Sequence, residues 1–116
     1  MMEIKTEKKN NCIEIKLIGR LDSNTSLTLE KELTAIINEG EQNIIVNFEE
    51  LNYISSSGLR VFLVAAKSLG TRGNKLKFCN MKDFIKEVFD IAGFTAIFDI
   101  YKTNEDALKE ILISEE

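Results

Sequence analysis

Three consecutive hydroxyls, Ser55-Ser56-Ser57, stand between Ile54 and the pair Gly58-Leu59. A hydroxyl can be a nucleophile, a phosphate acceptor or a helix cap, and each role needs different neighbours. As a nucleophile, Ser56 would need a base. The 116-residue chain has no histidine, which removes both a Ser-His-Asp triad and zinc sites that rely on imidazole. The run also does not form a Gly-x-Ser-x-Gly elbow, which leaves only a lysine such as Lys67 or Lys75 as a conceivable base. Gly70-Thr71-Arg72-Gly73 lacks the phosphate-cradling Walker spacing and reads as a helix end and turn, so any ATP belongs to a partner. No cofactor is implied.

The remaining roles depend on where the run falls. Asn43 to Phe48, with Ile44-Ile45-Val46, is short and apolar on consecutive positions, as in a strand covered on both faces. Ser57 to Leu69 is too long for a strand and apolar nearly all round, which predicts a deeply packed helix ending before Gly70. The serines therefore lie where a strand and a short loop give way to a helix N-terminus, where open α/β sheets place ligands. There the unpaired N–H groups and the macrodipole favour serine oxygens, carboxylates or phosphates. Residue types alone do not separate a capping and turning role from a phosphoacceptor.

The other elements follow from periodicity. Glu3 to Thr6 and Cys12 to Ile18 alternate as a hairpin through Asn10-Asn11. Asn24 to Glu39 is helical, with Ser23, Asn24 or Thr25 as caps and Gly40 beyond its end. Lys75 to Cys79 reads as a strand. Met81 to Ala92 reads as an amphipathic helix with Phe84, Val88 and Ile91 on its apolar stripe and Asn80 as cap. Ala96 to Tyr101 reads as a last strand, and Thr103 with Asp106 resembles a capping box for a final helix carrying Ala107, Leu108, Ile111 and Leu112. Alternating strand and helix after an opening hairpin predicts one α/β domain, with a mixed, largely parallel sheet of about four to five strands and about four helices.

Composition sets the class of partner. Hydrophobic residues at 44% and charged residues at 29% are ordinary for a soluble globular chain, and a net charge of −4 gives no footprint for nucleic acid. The polar stretch Met1 to Asn11 and the absence of any bilayer-length apolar run predict neither signal peptide nor membrane span, hence a cytoplasmic protein. Cys12 and Cys79 sit in apolar stretches and read as core rather than as a redox pair.

Leu17-Ile18-Gly19-Arg20-Leu21-Asp22 and Tyr53-Ile54-Ser55-Ser56-Ser57-Gly58-Leu59, at this spacing and in this element order, resemble the anti-sigma factor antagonist family of STAS domains. The resemblance covers nearly the whole chain. It implies a partner switch: the unphosphorylated antagonist captures an anti-sigma factor that is a HATPase-type serine kinase, the kinase phosphorylates its captor and releases it, and a serine phosphatase resets the switch. The family usually reads Asp-Ser-Ser/Thr-Gly-Leu at this loop, with the serine after the aspartate as acceptor. Carried over, the acceptor is Ser56, and Ser55 replaces the aspartate. Asp22 matches the acidic residue of the family's first loop, which contributes to kinase contact; as a plain carboxylate it would cap the first helix. Arg60 stands where many relatives have glycine, either paired with a phosphate on Ser56 or solvated. Partner contact would then use Asp22, Ser23, Asn24 and Thr25 with Ile54 to Arg60, including Ser55, Ser57, Gly58 and Leu59, and an exposed apolar anchor such as Ile54, Leu59 or Phe94. The alternative is a STAS domain that is never phosphorylated and serves as a scaffold or binding subunit of a larger regulatory or lipid-transport assembly.

Overall fold

The computed structural model describes residues 2–9, 12–40, 43–71 and 75–114. Five strands, β1 (Met2–Lys8), β2 (Ile13–Leu21), β3 (Asn43–Ile54), β4 (Lys75–Cys79) and β5 (Asp99–Tyr101), form one sheet in chain order. β1 pairs antiparallel with β2, and every other neighbour is parallel. The helices are α1 (Thr25–Asn38), α2 (Ser56–Thr71), α3 (Asp83–Ile91) and α4 (Asn104–Ser114). The expected mixed, largely parallel α/β sheet with four helices is what forms. The turn expected at Asn10-Asn11 lies outside the described residues.

Strand alternation sorts the core into two clusters. Ile13, Ile15 and Leu17 of β2, Ile44, Val46 and Phe48 of β3, and Leu76 and Phe78 of β4 point to one face, where α1, α2 and α3 cover them. Ile45 and Cys79 point to the other and meet Ala107 and Ile111 of α4 together with Cys12. Phe48, Phe62, Phe78 and Phe89 form the centre of the first cluster, with ring centroids 5.0 to 6.4 Å apart in tilted and edge-on pairs.

β3 runs six residues beyond the expected Phe48. Its pairing with β2 slips twice: Lys16 faces Asn47 but Ile18 faces Glu50, and Gly19 faces Leu51 but Arg20 faces Tyr53. Each slip places one extra residue in β3, a bulge, and each restores an apolar side chain, Leu51 and then Ile54, to the core face. A period-2 template reads that stretch as a loop because the alternation breaks at Glu49-Glu50 and again at Asn52-Tyr53.

α3 is rotated relative to the expected stripe. Ile85 and Phe89 are buried, whereas Phe84 and Ile91 are exposed and Val88 is half-buried. Apolar residues at 84, 85, 88, 89 and 91 offer two overlapping stripes, and the rings of Phe48, Phe62 and Phe78 around Phe89 select between them. Nor does Asn80 cap α3. It sits at φ 58° with its amide donating to Asn47 Oδ1 at 3.2 Å, and Lys82 takes the cap position without a side-chain bond. The last strand is shorter than expected. After Gly93 at φ 79°, Phe94–Ala96 form a 3-10 turn in which Phe98 N–H reaches Phe94 O at 2.9 Å, and β5 starts only at Asp99.

Candidate functional site: the end of β3 and the start of α2

β3 and α2 are joined by a single residue. Ser55 N–H donates to Leu21 O at 2.9 Å, one step past the last β2–β3 pair, and Ser55 O already accepts Leu59 N–H at 3.1 Å. Its Oγ accepts Gly58 N–H at 3.2 Å. Ser55 is thus the N-cap of α2, closing the ladder with its own N–H and satisfying an orphan helix donor with its side chain. That commits the Ser55 hydroxyl, half-buried, to the fold. Ser56, the first helical residue, is exposed, and Ser57 is half-buried.

Gly58 and Leu59 turn inward, against the expectation that they meet a partner. A Cβ on residue 58 would lie 2.8 Å from Leu21 Cγ and 3.0 Å from Ile54 Cγ1, so glycine lets the first turn of α2 settle on the end of β2. Leu59 and Ile54 are buried, so neither is the exposed anchor, and Phe94, in the 3-10 turn, is half-buried against Phe89 of α3. Apolar side chains do stand exposed nearby on α1 and α2: Leu27 and Val64 border an open groove of about 300 Å³ that Ser23, Ser57 and Arg60 also line. Arg60 is exposed and, among the described residues, forms no ion pair.

The Leu21–Ser55 bond brings the β2–α1 loop alongside. There Asn24, one of the three expected caps, holds the N-cap position of α1 without a side-chain bond, and Asp22 supplies the capping bonds: its Oδ1 accepts the N–H groups of Asn24 and Thr25, both at 3.0 Å, and its carbonyl accepts Ser26 N–H at 2.9 Å. Thr25 Oγ1 accepts Asp22 N–H at 2.8 Å and lies 2.8 Å from Arg20 O, locking the loop from the other side. The Thr25 N–H first, helped by the Thr25 hydroxyl and Asn24 N–H, holds the Asp22 carboxyl below its ordinary pKa. A fixed carboxylate therefore stands in the loop beside the serine run, with Asn24 exposed and Thr25 half-buried.

Among the described residues, no group of three or more His, Cys, Asp or Glu is placed to hold a metal ion, and no helix is long and apolar enough to cross a membrane. What the site offers is an exposed hydroxyl at a helix N-terminus, framed by a capped serine, a fixed carboxylate and two exposed cations, Arg20 and Arg60.

Residues 3–107 match the STAS domain family. The chain belongs to that family. This STAS domain is 36% identical over 106 residues to BtrV of Bordetella bronchiseptica, described as a candidate anti-sigma factor antagonist, with 91% of each chain covered. It is 30% identical over 104 residues to the anti-sigma-B factor antagonist of Staphylococcus aureus, covering 90% of this chain and 96% of that one. Its fold is that of a candidate anti-sigma factor antagonist from Thermotoga maritima, at a TM-score of 0.89 and 17% identity with 93% of each chain covered. It also superposes on SpoIIAA in the unphosphorylated form, at a TM-score of 0.74 and 22% identity, covering 94% of this chain and 97% of that one. The Bacillus SpoIIAA in its phosphorylated form gives a TM-score of 0.75 at 23% identity, covering 94% and 99%.

Several features escape the sequence. Ser55 as cap and Ser56 as the exposed member of the run are separated only by the hydrogen bonds that use up the first hydroxyl. The inward turn of Gly58 and Leu59 follows from the contact with Leu21, which no local pattern announces.

Proposed function

We propose that this STAS domain is an anti-sigma factor antagonist, a non-catalytic switch that binds an anti-sigma factor serine kinase while Ser56 is unmodified and lets it go once Ser56 is phosphorylated. The observation that carries this reading is the exposure of Ser56 at the first position of α2, beside a Ser55 hydroxyl already spent as a cap. The names of the two relatives support the antagonist role. Asp22, Asn24, Thr25, Ser57 and Arg60 frame the acceptor as the contact surface, with the groove beside Leu27 and Val64 as its apolar part.

Switching requires no refolding. A phosphoryl group adds about −1.5 to −2 charges, which the N–H groups and dipole of α2 tolerate. The same charge faces repulsion from acidic groups or ATP phosphates on a bound kinase. Each 1.4 kcal/mol lost at the interface is about a tenfold weakening, so a few kcal/mol dissolve the complex. A serine phosphatase completes the cycle by restoring the hydroxyl. One observation favours a second reading, a STAS scaffold that is never phosphorylated: Ser55 keeps the cap but removes the negative charge that relatives place beside the acceptor.

Intact-mass spectrometry with site mapping, after incubation with ATP and a HATPase-type anti-sigma factor kinase from the same organism, tests the proposal. One phosphate on the wild type that is missing from Ser56→Ala is expected. Kinase binding without phosphate would favour the scaffold, and a phosphate retained in Ser56→Ala would move the acceptor to Ser55 or Ser57.

A further inference from the structure

Arg20 and Tyr53 are the last outward-facing pair of the β2–β3 ladder, one step before Leu21 and Ile54. Those two neighbours go into the core, so Arg20 and Tyr53 stand on the opposite face of the sheet, the side away from α1 and α2. The second bulge of β3 creates this pairing, because without the extra residue Arg20 would face Asn52. The Arg20 guanidinium carbon lies 4.2 Å from the centroid of the Tyr53 ring. Both residues are nonetheless exposed, Tyr53 at 40%.

A stacked guanidinium is a particular kind of cation. Contact with the ring restrains its rotation, and the N–H donors it keeps free can take a carboxylate in a two-pronged fashion. Among the described residues no carboxylate takes that position and Arg20 forms no ion pair, although Lys16 on the same face is held by Glu50 at 3.1 Å. Arg60, on the far side of the serine run, is likewise without an ion pair. Two exposed arginines with open donors flank Ser56.

Proximity puts this pair within reach of a partner that contacts the acceptor. Tyr53 is three residues from Ser56, so their Cα atoms are within about 11 Å, and Arg20 is only one strand spacing further, about 5 Å. An interface of ordinary size covers about 800 Å² per partner, a disc of roughly 16 Å radius. A footprint of that size that includes Ser56 and extends over the end of the β2–β3 ladder reaches both residues.

We propose that the Arg20–Tyr53 stack is a docking site for an acidic side chain of the kinase, with Tyr53 orienting the guanidinium and Arg20 making the bidentate contact. The proposal rests on the partner-switch reading and adds a residue pair and a partner chemistry to it. It also supplies a cause for release, because acidic groups gathered opposite Arg20 and Arg60 would lie close to a phosphoryl on Ser56.

The test measures the dissociation constant of the same HATPase-type kinase by titration calorimetry, for the wild type, Arg20→Gln, Arg20→Lys, Tyr53→Phe and Tyr53→Leu. Urea unfolding midpoints are recorded for each protein. Arg20→Gln is expected to weaken binding at least about tenfold and to flatten its salt dependence. Arg20→Lys should recover little of the loss, since it keeps the charge without the planar fork. Tyr53→Phe should bind like the wild type and Tyr53→Leu several-fold more weakly, all with unchanged unfolding midpoints. Wild-type affinity in Arg20→Gln would overturn the docking site and leave the switch standing. Full recovery in Arg20→Lys would overturn the stacked, bidentate geometry. Failure of the wild type itself to bind would remove the partner-switch reading, and the docking site with it.

Discussion

Ser55 stands where the family that the chain resembles usually carries an aspartate, and here it is a hydroxyl that caps the helix. Its Oγ accepts Gly58 N–H at 3.2 Å, so α2 keeps a side-chain cap without a negative charge at the dipole's positive end. Ser55→Ala should cost about 1 kcal/mol, an unfolding midpoint lower by roughly 4 °C in a domain of this size. Ser55→Asp should keep the cap, regain the charge and raise the midpoint slightly, both read by thermal circular dichroism. Gly58→Ala is a different kind of change. The new methyl would sit 2.8 Å from Leu21 Cγ with Ile54 behind it, and overpacking of this sort costs about 1–3 kcal/mol. Urea titration should show a lower midpoint with unchanged cooperativity. At this scale the sequence was informative about residue types: a carboxylate in the first loop and a hydroxyl run at a helix start are visible in Asp22 and Ser55-Ser56-Ser57. It could not show which hydroxyl is consumed by the backbone, nor that Arg20 meets Tyr53, because that contact depends on a bulged register.

Elements were legible where one periodicity ruled alone. β4 has the expected bounds, and the final helix is capped through Asp106 N–H to Thr103 Oγ1 at 3.1 Å, as its capping-box pattern suggests. β3 and α3 departed from expectation where tertiary packing overruled a local pattern, through bulges in one and a choice between two apolar stripes in the other. α4 shows a further device. It lies on the opposite face from the other helices, over β3, β4 and β5, and its first residue, Asn104, donates to Glu14 Oε1 at 2.9 Å. Glu14 also accepts Asn47 Nδ2 at 3.0 Å and pairs with Lys9 at 2.9 Å, so one buried carboxylate ties β1's end, β2, β3 and α4 together. Burial pushes this carboxyl upward, but the bonds from Asn47, Lys9 and Asn104 outweigh it and hold its pKa below the ordinary carboxylate value. A depressed folded value means the unfolded chain binds the proton more readily, so stability rises with pH across this range. The clamp's contribution is complete above about pH 5 and is lost as the pH falls through the folded value. Urea midpoints measured from pH 6 down to pH 3 should fall for the wild type and change less for Glu14→Gln, which should be the less stable protein at pH 6.

For the molecule as a whole, the order of strands and helices carries the architecture, since short parallel crossovers after an opening hairpin leave few alternatives. The two core clusters on opposite faces make the sheet the common support of the site and of α4. Cys79 reports on that support. Burial, with the nearby Glu14 charge, pushes its thiol up to about 12, so at pH 8 it should resist iodoacetamide in the native protein and react only as the fold opens. Its alkylation rate, followed by mass spectrometry against urea, should track global unfolding; rapid labelling without urea would show that the α4 face opens by itself. A rigid support is what a switch confined to one surface hydroxyl requires. The direct measurement is the affinity of the kinase for the domain before and after phosphorylation of Ser56, by titration calorimetry, with amide spectra of the two free forms compared. The account predicts binding at least about a hundredfold weaker after phosphorylation, close to 3 kcal/mol, with spectral changes confined to the Asp22 loop and the start of α2. Equal affinity for both forms, or a loss of binding accompanied by rearrangement across the sheet, would contradict it.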